Sequence, residues 1–329
     1  MNKHEIEAQV RQKRKNLINS PKIGAQHQLT SKISVKRLKK SSDLEKQLEN
    51  ALLGIRPVVD IIQLATQTAY LKPSDYPTNI LLIARPESAK TSIMDLFKIK
   101  GTYTTNNITQ AVLVSKFLSM IETQGLKHII IPDFLNAIEK DTTTRQGFLN
   151  MIKSLMEEGI TSLDTFNIRT NKVYDPPIQC GLITGITTDK FNGYYDAKNH
   201  HYRGGVKFKW RSMGLLSRFV PFSYEYDLSK ILKIYEQLEK EELQKPKVQL
   251  KIKRANTKIK GNYEIFRKYE GFSLALGELL GGYGFRLQRN LQQLTKANAL
   301  LNGRTEVNDE DFKKILGLTK WINFKCNAL

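Results

Sequence analysis

The sequence predicts an α/β fold, a parallel sheet of about five strands with helices on both faces, followed by an all-helical region. Three observations predict it. Short apolar runs such as "NILLIA" (79–84), "HIII" (128–131) and "CGLITGIT" (180–187) recur along the chain, as strands buried on both faces do. Helix-length stretches alternate with these runs in the order that a parallel sheet requires. After Tyr226 the strand pattern stops and only the helical period continues.

Taken in order, residues 1–43 are polar, basic and poor in aromatics, and are expected to form a flexible arm. "SDLEKQLENALLGI" reads as a helix capped by Ser42 or Asp43, with Leu44, Leu48, Leu52 and Leu53 on one side. "NILLIA" is the first strand and "TSIMDLFKI" the helix after it. "GTYTT" (101–105) is the second strand, and "ITQAVLVSKFLSMIET" a helix. "HIII" is a strand, and "RQGFLNMIKSLMEEG" a helix ended by Gly159. "CGLITGIT" and "RFVPFSY" (218–224) complete the sheet. "LSKILKIYEQLEKEEL" then places Leu228, Ile231, Leu232, Tyr235 and Leu238 on one helical stripe. A basic stretch interrupts, and the last helix opens at the Asn/Asp cap of "VNDEDFKKILGLTKWI". The expected organisation is an arm (1–43), an α/β core (44–226) and a helical lid (227–329) with a basic insertion at 245–260.

The chain of 329 residues is 40% hydrophobic, enough for a sizeable core, and carries a formal net charge of +20. No apolar run approaches the ~18 residues of a membrane span, and the N-terminus lacks a signal-peptide core. The expectation is an intracellular, cytoplasmic or nucleoid-associated protein without membrane contact. Cys180 and Cys326 form no C-x-x-C pair, and the adjacent His200 and His201 suit a polar loop better than zinc. The positive charge is concentrated. "SKISVKRLKK" (31–40) carries five basic residues and no acid, and residues 245–260 carry seven and no acid. "KNHHYRGGVKFKWR" (198–211) mixes Lys and Arg with Tyr202, Phe208 and Trp210. Each run alone reads as a solvated face; together they point to a polyanionic partner, nucleic acid above all.

The stretch "ARPESAKTS" (84–92) follows the first strand directly. It has the rhythm of a phosphate-binding loop, G-x-x-x-x-G-K-[ST], with Ala84 and Ala89 where the glycines belong. Such a loop turns backbone N–H groups onto phosphates, its lysine reaches the β/γ-phosphates, and its hydroxyl holds Mg²⁺. Ala84, Arg85, Pro86, Glu87, Ser88, Ala89, Lys90, Thr91 and Ser92 are therefore the candidate nucleotide contacts. Some 40 residues on, the strand "HIII" runs into Pro132 and Asp133, a carboxylate suited to Mg²⁺.

In this order the motifs resemble the AAA+ ATPases, and among them the MCM-type replicative helicases with their MoxR-related group. The likeness spans residues 48–318. Ala89 stands directly before the loop lysine, as in the MCM loop, and Leu216, Ser217, Arg218 and Phe219 match the stretch bearing the arginine finger. Met156 and Glu157 match the end of the helix after Walker B, before a hairpin. Arg286 and Ala297 match the sensor 2 helix. Two departures stand out. Ala84 replaces the first glycine of Walker A, and Phe134 follows Asp133 where Walker B has a water-polarising glutamate. General-base assistance is worth about 10²–10⁴-fold, so the departure implies slow turnover or service by another acid such as Glu157 or Glu158.

The resemblance implies an AAA+ core with a helical lid, ATP and Mg²⁺ as cofactors, and a role for each residue. Lys90 would contact the β/γ-phosphates, Thr91 and Asp133 would hold Mg²⁺, and Thr187 would orient water as sensor 1. Arg218 would reach a neighbour's γ-phosphate, and Arg286, with Arg289 as fallback, would clasp the γ-phosphate from the lid. The bland alternatives are an exposed helix lysine at 90, a helix cap at 133, a buried filler at 187 and an intrachain salt bridge at 218. A trans arginine implies a homo-oligomer, a hexameric ring or filament. Three functions follow: an ATP-driven helicase or remodelling motor on DNA, an ATP-dependent assembly switch or loader on DNA with little hydrolysis, and a MoxR-like protein-remodelling chaperone, which the charge disfavours. Compact size and a Lys/Ile/Asn bias suit the replication factor of a mobile element or virus.

Overall fold

The computed structural model describes residues 55–328 apart from 73–75, 107, 136–141, 166–169, 197–200, 243–249, 251 and 326. The arm and the helix expected at 42–54 lie outside the described residues.

The chain enters through α1 (Arg56–Thr68), whose Val58, Val59, Ile61, Ile62 and Leu64 are buried and whose first turn holds Pro57, a residue suited to that position. The strand β1 (Ile80–Ala84) is buried at every residue. After a five-residue loop comes the short helix α2 (Lys90–Asp95), then β2 (Thr102–Thr104). The next helix, α3, spans 110–124 and passes through one π-helical turn, Leu113–Phe117, that faces Leu113, Val114 and Phe117 inward. Strand β3 (His128–Ile131) and α4 (Thr142–Met156) follow; α4 gives way to Gly159 at φ +83°. An antiparallel hairpin, β4 (Ile160–Thr165) with β5 (Thr170–Ile178), leads into β6 (Gly181–Thr187). Then come α5 (Thr188–Asn192) and a second hairpin, β7 (Gly193–Asp196) with β8 (His201–Gly204). Helix α6 (Lys207–Ser212), a 3₁₀ turn at Leu216–Arg218 and β9 (Val220–Glu225) complete the α/β part. Beyond it lie α7 (Leu228–Glu239), α8 (Tyr263–Arg267), α9 (Glu270–Leu280), α10 (Phe285–Leu301), α11 (Asp309–Thr319) and the two-residue β10 (Asn327–Ala328).

The main sheet has the order β10-β9-β1-β6-β3-β2, and every neighbouring pair is parallel. All five strands expected from the apolar runs are present. β10 adds an edge that the sequence did not announce, because two residues carry no pattern. Each long strand reads as a continuous apolar run because helices cover both faces.

The C-terminal helices are not a separate body on their own core. Leu276, Leu280, Leu287, Leu291, Leu294 and Ile315 join the hydrophobic cluster of the sheet, and α10 packs along α1. Part of the basic insertion is anchored too: Ala255 and Ile259 are buried, and the Gln67 side chain accepts from Lys253 N at 3.0 Å. Lys253, Arg254, Lys258 and Lys260 face solvent. Asn308 opens α11 with a full capping box, as its sequence predicts. Helix α7 departs from expectation: its stripe is there, but Leu228, Leu232, Tyr235 and Leu238 are exposed and no residue of α7 is buried.

His128 gives the fold a pH dependence. Its ring is fully buried against Gly181, with Nε2 3.4 Å from the Thr78 carbonyl oxygen. Burial pushes its pKa down from 6.5 to about 4. The folded chain keeps the ring neutral where the unfolded chain takes up a proton, so stability is full above pH 6.5 and falls as pH drops toward 4, by about 3 kcal/mol in all. His128→Leu is expected to flatten the dependence of Tm on pH between 6.5 and 4.5 in thermal unfolding; an unaltered slope would contradict this account.

Candidate functional site

The topology itself marks a place for a ligand. From β1 the chain crosses past β6 and β3 to β2, whereas from β6 it crosses past β1 to β9. Adjacent strands β1 and β6 therefore send their connections in opposite directions, onto opposite faces for right-handed crossovers. A crevice opens outside the carboxyl ends of such a strand pair. Ala84 and Thr187, the last residues of these two strands, are register partners at its floor.

The loop after β1 is shaped there. Glu87 (φ 61°) and Ala89 (φ 60°) are left-handed, and they are two of the three non-glycine residues with positive φ among the described residues. Such residues cost of order 1–3 kcal/mol each and persist where the surroundings hold them. They flank Ser88, and left-handed residues interleaved with right-handed ones are the backbone pattern of anion-binding nests. Tyr224 of β9, the partner of Ala84 across the sheet, donates its hydroxyl to the Ser88 carbonyl oxygen at 3.0 Å. Sequence reasoning missed Tyr224, since a strand tyrosine gives no sign of which loop its hydroxyl will reach.

Lys90 lies across the mouth of this loop. Its Nζ donates to the Ala84 carbonyl (3.0 Å), the Arg85 carbonyl (2.7 Å) and Ser88 Oγ (3.1 Å). Lys90 is not the exposed helix lysine of the bland alternative. Arg85 pairs with Glu225 at 3.4 Å, Pro86 and Thr91 are exposed, and Ser92 is half-buried.

Asp133 reaches the same edge from β3 and is exposed. Its Oδ1 accepts from Leu135 N at 3.1 Å, so one oxygen caps the following turn. Phe134 is fully buried against Trp210 and Phe219, with ring centroids 5.4 and 6.3 Å apart. The position that would hold a second carboxylate belongs to the core. Gly185 closes the gap between β3 and the loop: a Cβ there would stand 2.8 Å from the Pro132 oxygen and 3.4 Å from Lys90 Cδ. Only a residue without a side chain lets the Lys90 stem and the end of β3 approach so closely.

The arginines stand elsewhere. Arg218 is 13% exposed at the amino end of β9, with Nε 3.3 Å from Glu157 Oε2, Nη2 3.5 Å from Glu158 Oε1 and Nη1 donating to the Gly214 carbonyl at 2.7 Å. Arg286 Nε pairs with Glu157 Oε1, and its Nη1 donates to Ser217 Oγ at 3.3 Å. Arg289 Nη2 donates to the same Glu157 oxygen at 3.2 Å and stacks on Tyr76 at 4.5 Å. Asn79, just before β1, fastens this edge by donating to the Met156 and Arg218 carbonyls and accepting from Leu182 N.

Arg286, expected to clasp a γ-phosphate from the lid, therefore stands away from the loop of its own chain. Its cluster lies at the amino edge of the sheet, and β1 separates that edge from the loop by roughly 15 Å at ~3.3 Å per residue. The reason is the packing of α10 on α1 and on the Leu216–Arg218 turn, which carries the helix start to that edge. For Arg218 the structure realises the intrachain salt bridge.

The run 198–211 is corrected in part. Trp210 is buried in the core and unavailable to a partner, whereas Phe208 is 75% exposed. Among the described residues no group of three or more His, Cys, Asp or Glu side chains is placed to hold a metal, and no helix is long and apolar enough to cross a membrane. Cys180 is free and buried, and burial raises its pKa.

The fold and this edge define an α/β protein with a crevice at the carboxyl ends of β1 and β6 and a charged loop beside it. No protein-family model and no curated protein matches the sequence.

Proposed function

We propose that this chain binds ATP with Mg²⁺ in the crevice at β1 and β6, and that it is an AAA+ protein of MCM-like type acting on DNA as a homo-oligomer. The observation that carries the reading is the loop 84–90: a left-handed backbone at Glu87 and Ala89 with the Lys90 ammonium across it, at the switch point of the sheet. In that site the loop amides and Lys90 hold the phosphates. Thr91 and Asp133 serve Mg²⁺, which takes one or two protein oxygens and the phosphates themselves; Asp133 retains an oxygen beyond the one that caps Leu135. Thr187, the register partner of Ala84, serves as the water-orienting hydroxyl. Arg218 and Arg286, at the far edge, serve the nucleotide of a neighbouring copy rather than their own.

The work on DNA rests on the charge. The net +20 includes the exposed Lys253, Arg254, Lys258 and Lys260, which suit a phosphate backbone. The first reading is an ATP-driven helicase or remodelling motor. A second reading, an ATP-dependent assembly switch with little hydrolysis, is favoured by Phe134, whose burial leaves Asp133 without an adjacent acid to polarise water.

Calorimetric titration with Mg-ATP, with hydrolysis measured with and without DNA, tests the proposal; no binding at millimolar nucleotide would overturn it. DNA affinity is expected to fall steeply with salt, log K dropping by about 0.9 per phosphate contact for each decade on duplex. Deleting residues 1–41 should flatten that slope. A slope near zero would remove the polyanion reading.

A further inference from the structure

At the amino edge of β2 and β3, opposite the edge that carries the loop 84–90, lies a cleft of about 400 Å³. Lys100 and Lys127, just before the two strands, line it with Lys72 and with Arg254 of the basic insertion. No carboxylate lines it, and among the described residues none of these four cations has an ion-pair partner. Lys72, Lys100 and Arg254 are exposed, whereas Lys127 is half-buried. Packing fixes the wall that brings Arg254 here. Ala255 N donates to the Tyr70 carbonyl at 3.1 Å, and the Gln67 side chain bonds both the N–H and the carbonyl of Lys253. Ala255 and Ile259 sit in a small apolar cluster with Leu71 and Leu300, which leaves the basic residues of the segment to solvent. The Tyr70 hydroxyl donates to the Lys100 carbonyl at 3.1 Å, and the Arg254 guanidinium lies 5.9 Å from the centroid of the Tyr70 ring. Gly101 makes room for that hydroxyl, since a Cβ there would stand 2.2 Å from it.

We infer that this cleft takes a single strand of nucleic acid, with phosphates on Lys72, Lys100 and Lys127 and a base stacked on the Arg254 guanidinium. Unpaired bases stack on arginine planes and aromatic rings, while a basic groove tracks the backbone. Three observations select this ligand. The cations continue beyond the cleft: Lys253, Lys258 and Lys260 are exposed along the same segment, whose far end is pinned by the Lys260–Thr305 and Val307–Lys260 backbone bonds. A chain of repeated phosphates uses that ridge, and a free phosphate does not. The volume is that of a small-molecule site, too small for a duplex, so the half-buried Lys127 is open only to a strand that enters. No exposed large apolar side chain lines the cleft, so nothing there would insert into a lipid surface. The carboxylates of Glu122 and Asp175 line a neighbouring cleft that shares Lys127, which directs the strand from Lys127 toward Arg254 and the insertion.

The inference rests on the proposed action on nucleic acid, to which it adds the place and the strandedness, and it is independent of ATP. Lys72→Glu/Lys100→Glu in the full-length chain tests it by anisotropy of a labelled oligothymidylate over a salt series. Lys313→Glu/Lys325→Glu, the same charge change at exposed lysines elsewhere, is the control. All four side chains are exposed, so both variants are expected to match the parent in Tm. The cleft variant is expected to bind the strand at least tenfold more weakly. Its salt slope should be lower by about 1.4 per decade, since each lost contact removes about 0.7 on single strands; the control should keep the parental slope. Arg254→Lys, which keeps the charge and loses the plane, is expected to keep the slope and lose about fivefold in affinity. Equal loss in cleft variant and control would reduce the effect to net charge and overturn the inference. So would duplex bound as tightly as the strand and lost as steeply in the cleft variant, or thymidine monophosphate displacing the strand at equal concentration. Loss of binding to phosphatidylserine vesicles, in a cleft variant that keeps parental strand affinity, would assign the cleft to a membrane instead. A parent that binds no nucleic acid would sink the proposed DNA role together with the cleft; parental strand affinity in the cleft variant would sink the cleft alone.

Discussion

Lys90→Ala is expected to abolish Mg-ATP binding without unfolding the protein. The ammonium donates to the loop itself, to the carbonyls of Ala84 and Arg85 and to Ser88 Oγ. When phosphates enter, the lysine exchanges these neutral acceptors for charged oxygens, and hydrogen bonds to charged groups contribute about 1.5–3 kcal/mol. Losing two of them corresponds to a fall in affinity of at least ~100-fold. The sheet beneath does not depend on the ammonium: β1 is buried throughout and paired on both sides. Titration calorimetry and thermal unfolding of parent and variant measure the two halves of the expectation. Equal affinity would show that the loop is a structural turn whose lysine merely neutralises its carbonyl oxygens.

How far the sequence led depends on the range of the interactions. Strands β1, β3 and β6 were legible because burial on both faces writes itself as largely apolar runs, "NILLIA" being the clearest, whereas β2 is a half-buried Thr-Tyr-Thr at the sheet edge. The Asn308 cap and Gly159 were legible because their chemistry is local. Lys90 stood out from spacing alone, and its ammonium lies over the loop. What is set by long-range packing was not. Trp210 and Phe208 look alike in "KFKWR", yet α6 turns one into the core and the other to water. The stripe on α7 has helical period but no surface to meet among the described residues. The placement of Arg286 depends on Glu157, 129 residues away in sequence, and nothing near Arg286 announces that partner. Phe134 was a puzzle as a motif residue and is explained as a core residue beside Trp210 and Phe219.

Arg218→Ala is expected to break the link between nucleotide and assembly while leaving nucleotide affinity of the single chain nearly intact. The guanidinium is held by Glu157 and Glu158 at the edge opposite the loop, so it cannot touch the phosphates of its own chain. In a head-to-tail assembly it meets those of the next. A γ-phosphate is a stronger acceptor than a carboxylate shared among Arg218, Arg286 and Arg289, and exchanging one for the other leaves Glu157 to the two remaining arginines. An arginine acting in trans contributes ~10³–10⁵ in rate where hydrolysis is fast. With Phe134 beside Asp133 in place of a carboxylate, a low baseline is expected, so assembly is the sharper readout. ATP analogue should promote a homo-oligomer, most simply a hexamer, in the parent and not in Arg218→Ala. Mixing Arg218→Ala with Lys90→Ala should restore some sites, since one chain supplies the loop and the other the guanidinium. A purely structural Arg218 gives another pattern: lower Tm from the lost pair with Glu157, unchanged assembly once folded, and no recovery on mixing. Light scattering of each variant, alone and mixed, separates the two. Parental assembly and turnover in Arg218→Ala would sink the trans assignment, and with it the case for a ring organised around this nucleotide.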